Sequence, residues 1–167
     1  MTGARRDGVD EILEQWRQER PELDHSPIGV IGRVSRLARE LEQRLEPTYA
    51  AQGLEPGWYD VLATLRRSGP PYRLRPSDFT STLMLTSSGT TKRLDRLEHA
   101  GLITRAPDPA DRRGVLIALT EAGRELIDRA TEAHLANERR ILAELTESEQ
   151  RALADLLRKL QLGLPGE

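Results

Sequence analysis

The chain has 167 residues, a formal net charge of −2 and no cysteine, and its length suits one compact domain. The absence of cysteine excludes disulfides and thiolate metal sites and is compatible with a reducing compartment. The sequence has no run of about 18 apolar residues, and charged residues 1–10 do not resemble a secretion signal. We therefore expect a cytoplasmic protein that has no membrane partner.

Positive charge is concentrated in the middle of the chain. Residues 66–113 contain ten basic and five acidic side chains, a local net charge of +5 that leaves −7 for the rest. Because contacts with phosphates are local, such a segment favours binding to DNA even though the whole chain is acidic.

Three amphipathic helices are predicted before this basic segment. Apolar residues at helical spacing lie in residues 9–20, in residues 28–46 and in a third helix that begins near Pro56. A proline follows each of the first two helices, Pro47 after the second, and is expected to stop it. A Ser-Gly-Pro-Pro sequence ends the third helix.

The basic segment itself is predicted to contain shorter elements. Tyr72-Arg73-Leu74 is a short strand candidate, Ser77 is a candidate N-cap of a short helix, and a second helix is predicted from about Ser87 to His99. Strand candidates at 102–105 and 115–119 flank a polar loop of nine residues. Two short helices followed at once by a charged hairpin are typical of a winged helix-turn-helix.

The last third of the chain is predicted to be helical. Thr120 can cap a long helix whose apolar residues run to Leu145, and Thr146-Glu147-Ser148-Glu149 is a capping box for a final helix. The predicted fold class is therefore mainly α with a small β-hairpin wing.

We predict one domain over residues 1–167 that contains two regions. Residues 54–119 would form the DNA-binding lobe. Residues 7–50 and 120–162 supply more apolar helix than a small lobe needs for cover, so we expect them to intertwine in a two-fold homodimer. The two recognition helices would then lie about 34 Å apart, one turn of the duplex, and the operator would be an inverted repeat.

The sequence resembles the MarR family of bacterial transcription regulators over roughly residues 28–162. The resemblance rests on LTSSGTTKRLDRLEHAGLITR at 85–105, on DPADRRG at 108–114 and on LTEAG at 119–123. A helix-turn-helix alone would be a weak signal, whereas recognition helix, wing and helix cap in this order and spacing are a strong one. The resemblance implies a dimeric winged-helix regulator, expected to be a repressor.

Helix geometry separates the basic residues Lys92 and Arg96 from the buried side of the recognition helix. At about 100° per residue, Leu94 and Leu97 fall with Thr90 on the buried side, whereas Lys92 and Arg96 lie opposite. Hydroxyls at the helix N-terminus suit phosphates or base edges, and arginines at the hairpin tip suit a narrow minor groove. The predicted DNA-binding residues are Ser87, Ser88, Thr90, Thr91, Lys92, Arg96, Arg112 and Arg113. The alternative is a solvated helix face and a flexible charged turn.

A narrower resemblance is to the urate-responsive subgroup of the MarR family. Its members carry an additional N-terminal helix with a tryptophan, matched by Trp16, and an aspartate and two arginines, matched by Asp60, Arg93 and Arg105. The resemblance implies that these residues form a pocket for a small anionic aromatic ligand such as urate, whose binding attenuates DNA binding. Periodicity leaves open that Trp16 is a core or dimer contact, that Asp60 is a surface carboxylate and that Arg93 is a structural ion-pair partner.

Other functions stay open from the sequence. The regulator could respond to a different phenolic or aromatic ligand or to none, and the winged helix could serve protein association alone. An enzyme is not expected, because a nucleophile elbow, a phosphate loop and a dinucleotide fingerprint are all missing. No cofactor is implied, and His25, His99 and His134 lack metal-ligand spacing. We expect a nucleoid-associated regulator.

Overall fold

The computed structural model describes residues 5–82 and 89–164, apart from the side chains of residues 80–82, 90, 112 and 113. Its elements are α1 (Gly8–Glu19), α2 (Ser26–Ala50), α3 (Trp58–Arg67), β1 (Arg73–Leu74), α4 (Pro76–Thr82), α5 (Thr90–His99), β2 (Ile103–Asp108), β3 (Asp111–Leu119), α6 (Glu121–Ile141) and α7 (Glu147–Leu162). The chain divides into two compact units, one ending at Pro47 and the other beginning at Thr48.

The first unit joins α1 to α2 through apolar and charged contacts. Val9 and Leu13 lie one turn apart on α1 and are buried, and Val9 packs where Gly32 of α2 leaves room. Asp7 caps α1 by accepting hydrogen bonds from two N–H groups of the first turn. The same carboxylate accepts a 2.8 Å hydrogen bond from Nε of Arg33 on α2. The N-cap of α1 is therefore also its charged attachment to α2.

This attachment predicts an acid-sensitive contribution to stability. The hydrogen bond from Arg33 is the largest cause that lowers the pKa of Asp7 from 3.8 to about 2. A lowered folded-state pKa stabilises the fold above pH 3.8, and the contribution is lost as the pH falls toward 2. Asp7→Asn keeps a good N-cap but removes the charge. We expect the parent protein to melt above this variant at neutral pH and the difference to close between pH 4 and pH 2; a difference that does not change with pH would contradict the assignment.

Pro47 lies inside α2, so the prediction that it stops the second helix was wrong. Proline removes one N–H donor and crowds the carbonyl four residues earlier. Only one hydrogen bond of the helix is lost in this way, and the helix continues to Ala50. The boundary between the two compact units falls directly after this residue.

The second unit is built around α3. Val61, Leu62 and Leu65 are almost fully buried, and the side chains that surround them come from α4, α5, the sheet and α6. The core cluster consists of Leu54, Trp58, Val61, Leu62, Leu65, Phe79, Leu94, Leu97, Ile103, Ile117, Ile127 and Ala130. Burial of each large apolar side chain is worth about 1.5–3 kcal/mol. Because this cluster contains side chains from all of these elements, the recognition helix α5 and the sheet share one core with the long helix α6.

The sheet is antiparallel with the strand order β1-β3-β2. β2 reaches Asp108 and β3 begins at Asp111, so the prediction of a nine-residue polar loop between the strands was wrong. The ladder continues because polar side chains do not prevent backbone pairing, and Pro107, which lacks an N–H, lies on an edge strand at an irregularity of the ladder. The wing is consequently a long hairpin that turns over Pro109 and Ala110.

The helix caps follow the sequence prediction with one exception. The Thr120 hydroxyl accepts a 3.0 Å hydrogen bond from the N–H of Gly123 and donates one of 2.8 Å to the carbonyl of Gly101. Thr146 forms the predicted capping box of α7. Ser77 does not act as the predicted N-cap, because α4 begins one residue earlier, at Pro76. α6 ends at Ile141, before the last apolar residue assigned to it, Leu145.

Candidate DNA interface

One face of the recognition helix α5 is charged and exposed, and the other is apolar and buried. Leu94 and Leu97 are buried in the core, whereas Lys92 and Arg96 are exposed. Gly89 precedes the helix with φ 84°, a left-handed conformation that suits glycine. Helix geometry thus separates the two faces as the sequence predicts.

Other predicted DNA contacts lie in the first turn of α5 and at the start of β3. Thr91 is exposed in the first turn of α5. Arg112 and Arg113 lie at the start of β3, directly after the hairpin turn. Ser87 and Ser88 lie outside the described residues, as do the side chains of Thr90, Arg112 and Arg113. Both α5 and the wing arginines belong to the second compact unit, and their contacts with DNA stay a prediction.

Arg96 has an acidic neighbour that sequence reasoning missed. Its guanidinium donates a 3.0 Å hydrogen bond to Glu55, and the Arg96 side chain is 70% exposed. Exposed pairs of this kind contribute only about 0–1 kcal/mol. A phosphate can therefore replace Glu55 as the partner of Arg96 at little cost. A separation of 41 positions in the sequence leaves no local signal for the pair.

Arg105, on the wing, forms ion pairs with the recognition helix. It projects from β2 and donates 2.6 Å hydrogen bonds to Asp95 and to Glu98, both on α5. Asp95 is the largest cause that raises the pKa of Arg105. The positive charge that the family resemblance offers to a ligand is therefore already balanced by two carboxylates of the helix.

Asp60 is buried, so the alternative of a solvated surface carboxylate was wrong. Its exposed fraction is 9%, and Thr64, one turn later on α3, is buried as well. The stripe of Trp58, Val61 and Leu65 covers only part of the buried surface of α3, because this helix is surrounded by neighbours on more than one side. Helical periodicity describes a helix that is buried on one side only, which is why it misplaced Asp60.

Arg93 approaches the beginning of the helix that carries Asp60. It is half-buried, and a Cβ placed on Gly57, the N-cap of α3, would lie 2.6 Å from its Nε. The ion pairs of the described residues do not include Arg93, and both of its possible roles, as a ligand contact and as a structural ion-pair partner, stay predictions. The structure thus brings Arg93 close to the first turn of α3.

Trp16 belongs to the first unit. It is 45% exposed, and its ring centre lies 5.8 Å from that of His25, whose Nε2 is 2.8 Å from the carbonyl oxygen of Arg20. This exposure excludes a core position for Trp16 within the chain. Its roles as a dimer contact or as a ligand contact stay predictions.

None of the described helices is both long and apolar enough to span a membrane. Within residues 5–82 and 89–164, no three histidine, aspartate or glutamate side chains are grouped as ligands of a metal ion.

Sequence comparison connects these features to known regulators. The profile of the MarR family matches residues 52–114, which include α3, α5, β2 and the start of β3. The chain is 44% identical over 153 residues to the HTH-type transcriptional regulator PecS of Dickeya dadantii, and the match covers 92% of each chain.

Solved structures with the same fold include a DNA complex. Sco3205, a MarR family regulator from Streptomyces coelicolor in complex with DNA, aligns with a TM-score of 0.75 and 26% identity over 87% of this chain and 95% of that one. BpsR of Bordetella bronchiseptica aligns with a TM-score of 0.64 and 26% identity over 77% of this chain and 98% of that one. That structure concerns the regulation of DNA binding by 6-hydroxynicotinic acid.

Proposed function

The chain belongs to the MarR family of transcription regulators, and from this premise we propose that it is a ligand-responsive repressor that binds an inverted-repeat operator as a homodimer. The observation that carries the proposal is the exposed basic face of α5, which includes Lys92 and Arg96, above the buried Leu94 and Leu97. A module for protein association alone would not need these cations on its recognition helix.

DNA binding is tested by titrating the protein against a duplex from the region upstream of its own gene over a range of salt concentrations. A phosphate-driven complex must weaken steeply as salt rises, with a slope of about 0.9 for each phosphate contact. Absence of binding at low salt, or binding that does not depend on salt, would contradict the proposal and favour the association module.

Apolar side chains that the chain leaves exposed support a homodimer. On α7, Leu156 is 65% exposed and Leu157 is 43% exposed. On α2, Val30 and Ile31 are both more than half exposed. Apolar stripes of this kind on helices from both ends of a chain are typical of a surface covered by a partner. A second copy of the chain is the partner that the family suggests.

We expect the parent protein to sediment as a dimer at micromolar concentration and Leu156→Glu to shift it toward the monomer. A charge at a buried interface position lacks a partner and is costly. Arg151→Glu is the matched control, since Arg151 is an exposed cation on the same helix that pairs only with Glu147 among described residues. A parent protein that sediments as a monomer would overturn the dimer, and equal behaviour of both variants would place the interface elsewhere.

We further propose that the ligand is a small anionic aromatic acid such as urate and that it weakens DNA binding. By the family resemblance, the ligand contacts are Trp16, Asp60, Arg93 and Arg105. Arg93 offers positive charge to an anion, whereas the charge of Arg105 is already balanced by two carboxylates of α5. The BpsR structure supports this class of ligand, because 6-hydroxynicotinic acid, which regulates DNA binding by BpsR, is an aromatic acid. A coupling of about 1–3 kcal/mol between two sites is enough for such a response.

The ligand is tested by thermal melts with urate and with 6-hydroxynicotinate. A ligand at a concentration 100 times its Kd stabilises the fold by about 2.7 kcal/mol. We expect urate to raise the melting temperature of the parent protein and to release DNA, and Arg93→Ala to lose both effects. Arg129→Ala removes an exposed charge from α6 and should keep them. An equal rise in the parent protein and in Arg93→Ala would remove Arg93 from the site.

A further inference from the structure

We propose that Arg75 is a positioning residue of the wing, which it holds in place through an ion pair with the buried Asp108. The inference rests on the proposed DNA-binding function, because the wing matters only if it contacts DNA. Arg75 follows β1 and directly precedes α4, the first helix of the helix-turn-helix. Asp108 is the last residue of β2, at the far end of the hairpin.

Asp108 organises the hairpin turn. Its side chain is only 5% exposed. One carboxylate oxygen accepts a 2.9 Å hydrogen bond from the N–H of Ala110, and the other accepts one of 2.6 Å from Nε of Arg75. These two contacts, first that of Ala110, lower the pKa of Asp108. The carboxylate is therefore charged at neutral pH, and Arg75 is its cationic partner.

Gly114 makes the inward position of Asp108 possible. A Cβ on Gly114 would lie 2.9 Å from the Cβ of Asp108, a separation that real side chains do not reach. The backbone N–H of Arg75 is fixed as well, because it donates a 3.1 Å hydrogen bond to Asp78 in the first turn of α4. The ion pair thus joins a fixed point of the helix-turn-helix to the tip of the hairpin.

The outer part of the wing needs such a connection. β1 pairs with β3 only at Ala118 and Ile117, so the third strand of the sheet does not extend to the hairpin tip. A two-stranded hairpin is marginally stable without further support. Because ordering a mobile segment on binding costs affinity, a wing that is held in place before binding gives a tighter complex.

The test uses three variants, namely Arg75→Gln, Asp108→Asn and the combination of the two. The control is Arg73→Gln, which removes a nearby exposed charge without breaking the pair. Amide exchange is measured on the free proteins. Affinity and salt slope are measured with the duplex from the upstream region of the gene. We expect faster exchange over 106–116 in both single variants, unchanged exchange in α6, and an affinity about threefold to tenfold lower. The double variant should be no weaker than either single variant, and Arg73→Gln should leave exchange over 106–116 unchanged.

Two results would overturn the inference. If Arg75 instead binds a phosphate, Arg75→Gln weakens binding and lowers the salt slope by about two, one contact for each protomer, while Asp108→Asn binds like the parent protein. If exchange over 106–116 is unchanged in both single variants, the pair does not hold the wing. Failure of the parent protein to bind any duplex would reject the proposed function. Because amide exchange is measured without DNA, it would still show whether the ion pair holds the wing in place.

Discussion

Replacing both Lys92 and Arg96 with alanine is expected to lower operator affinity by about 100-fold or more. Hydrogen bonds to charged groups contribute about 1.5–3 kcal/mol each, and tenfold in affinity corresponds to 1.4 kcal/mol. Both side chains are exposed on α5 and neither contributes to the core. The loss should therefore appear in DNA binding while the melting temperature of the free protein stays close to that of the parent.

The dependence on salt identifies the kind of contact that was lost. If both residues bind phosphates, each protomer of the dimer loses two contacts, and the slope of log affinity against log salt should fall by about four. A smaller change in slope with the same loss of affinity would assign one of the residues to a base edge. Arg151→Ala with Lys159→Ala removes the same charge from α7 and should leave the slope unchanged. If the two double variants behave alike, the effect comes from net charge and α5 is not the reading surface.

Glu55→Gln offers an independent test of the same surface. Glu55 is the partner of Arg96 in the free protein, at 3.0 Å, and DNA has to replace it. Removing the charge of Glu55 should therefore raise the affinity of the parent protein slightly, and the gain should vanish when Arg96 is already alanine. A gain that persists without Arg96 would reflect a general change in charge.

Gly123→Ala is expected to have the largest effect on stability. A Cβ on Gly123 would lie 2.0 Å from the carbonyl oxygen of Leu102 and 2.9 Å from its carbonyl carbon. Both atoms belong to the backbone, which cannot move aside as a flexible side chain can. We expect the free energy of unfolding to fall by about 3 kcal/mol, the upper end of the range for overpacking. In a chain of this length, that loss lowers the melting temperature by roughly 6–12 °C.

The matched control is Gly163→Ala, in which the new Cβ meets its nearest atoms at 3.5 Å, an ordinary contact. We expect this variant to melt within about 0.5 kcal/mol of the parent protein. Near-equal stability of the two variants would show that the first turn of α6 can move away from Leu102. The prediction of a tight junction between α6 and the turn after α5 would then be wrong.

Local signals predicted most of the architecture. Hydroxyl caps at Thr120 and Thr146 marked the starts of α6 and α7 because a cap needs only residues within one turn. Apolar spacing identified Leu94 and Leu97 as the buried side of α5 for the same reason. The errors arose where a local rule competes with the rest of the molecule, as at Pro47, where the helix tolerates the loss of one hydrogen bond.

The electrostatic partners could not be predicted, because they are distant in sequence. Arg96 pairs with Glu55 over 41 positions, and Arg75 pairs with Asp108 over 33. A chain with 25 basic and 27 acidic residues offers many possible pairs, and composition does not choose among them. Asp60 was misplaced for a related reason, since the number of neighbours around α3 is set by the tertiary fold.

The arrangement of α5 also has an evolutionary consequence. Its core side is fixed by Leu94 and Leu97, and its carboxylates are held from the wing by Arg105. Positions such as Lys92 lie outside both sets of contacts, so under the proposed function mutations there would alter the contacts with the operator without lowering the stability of the lobe. Duplicated copies of such a gene can therefore diverge toward new operators one substitution at a time, while each intermediate remains a folded protein.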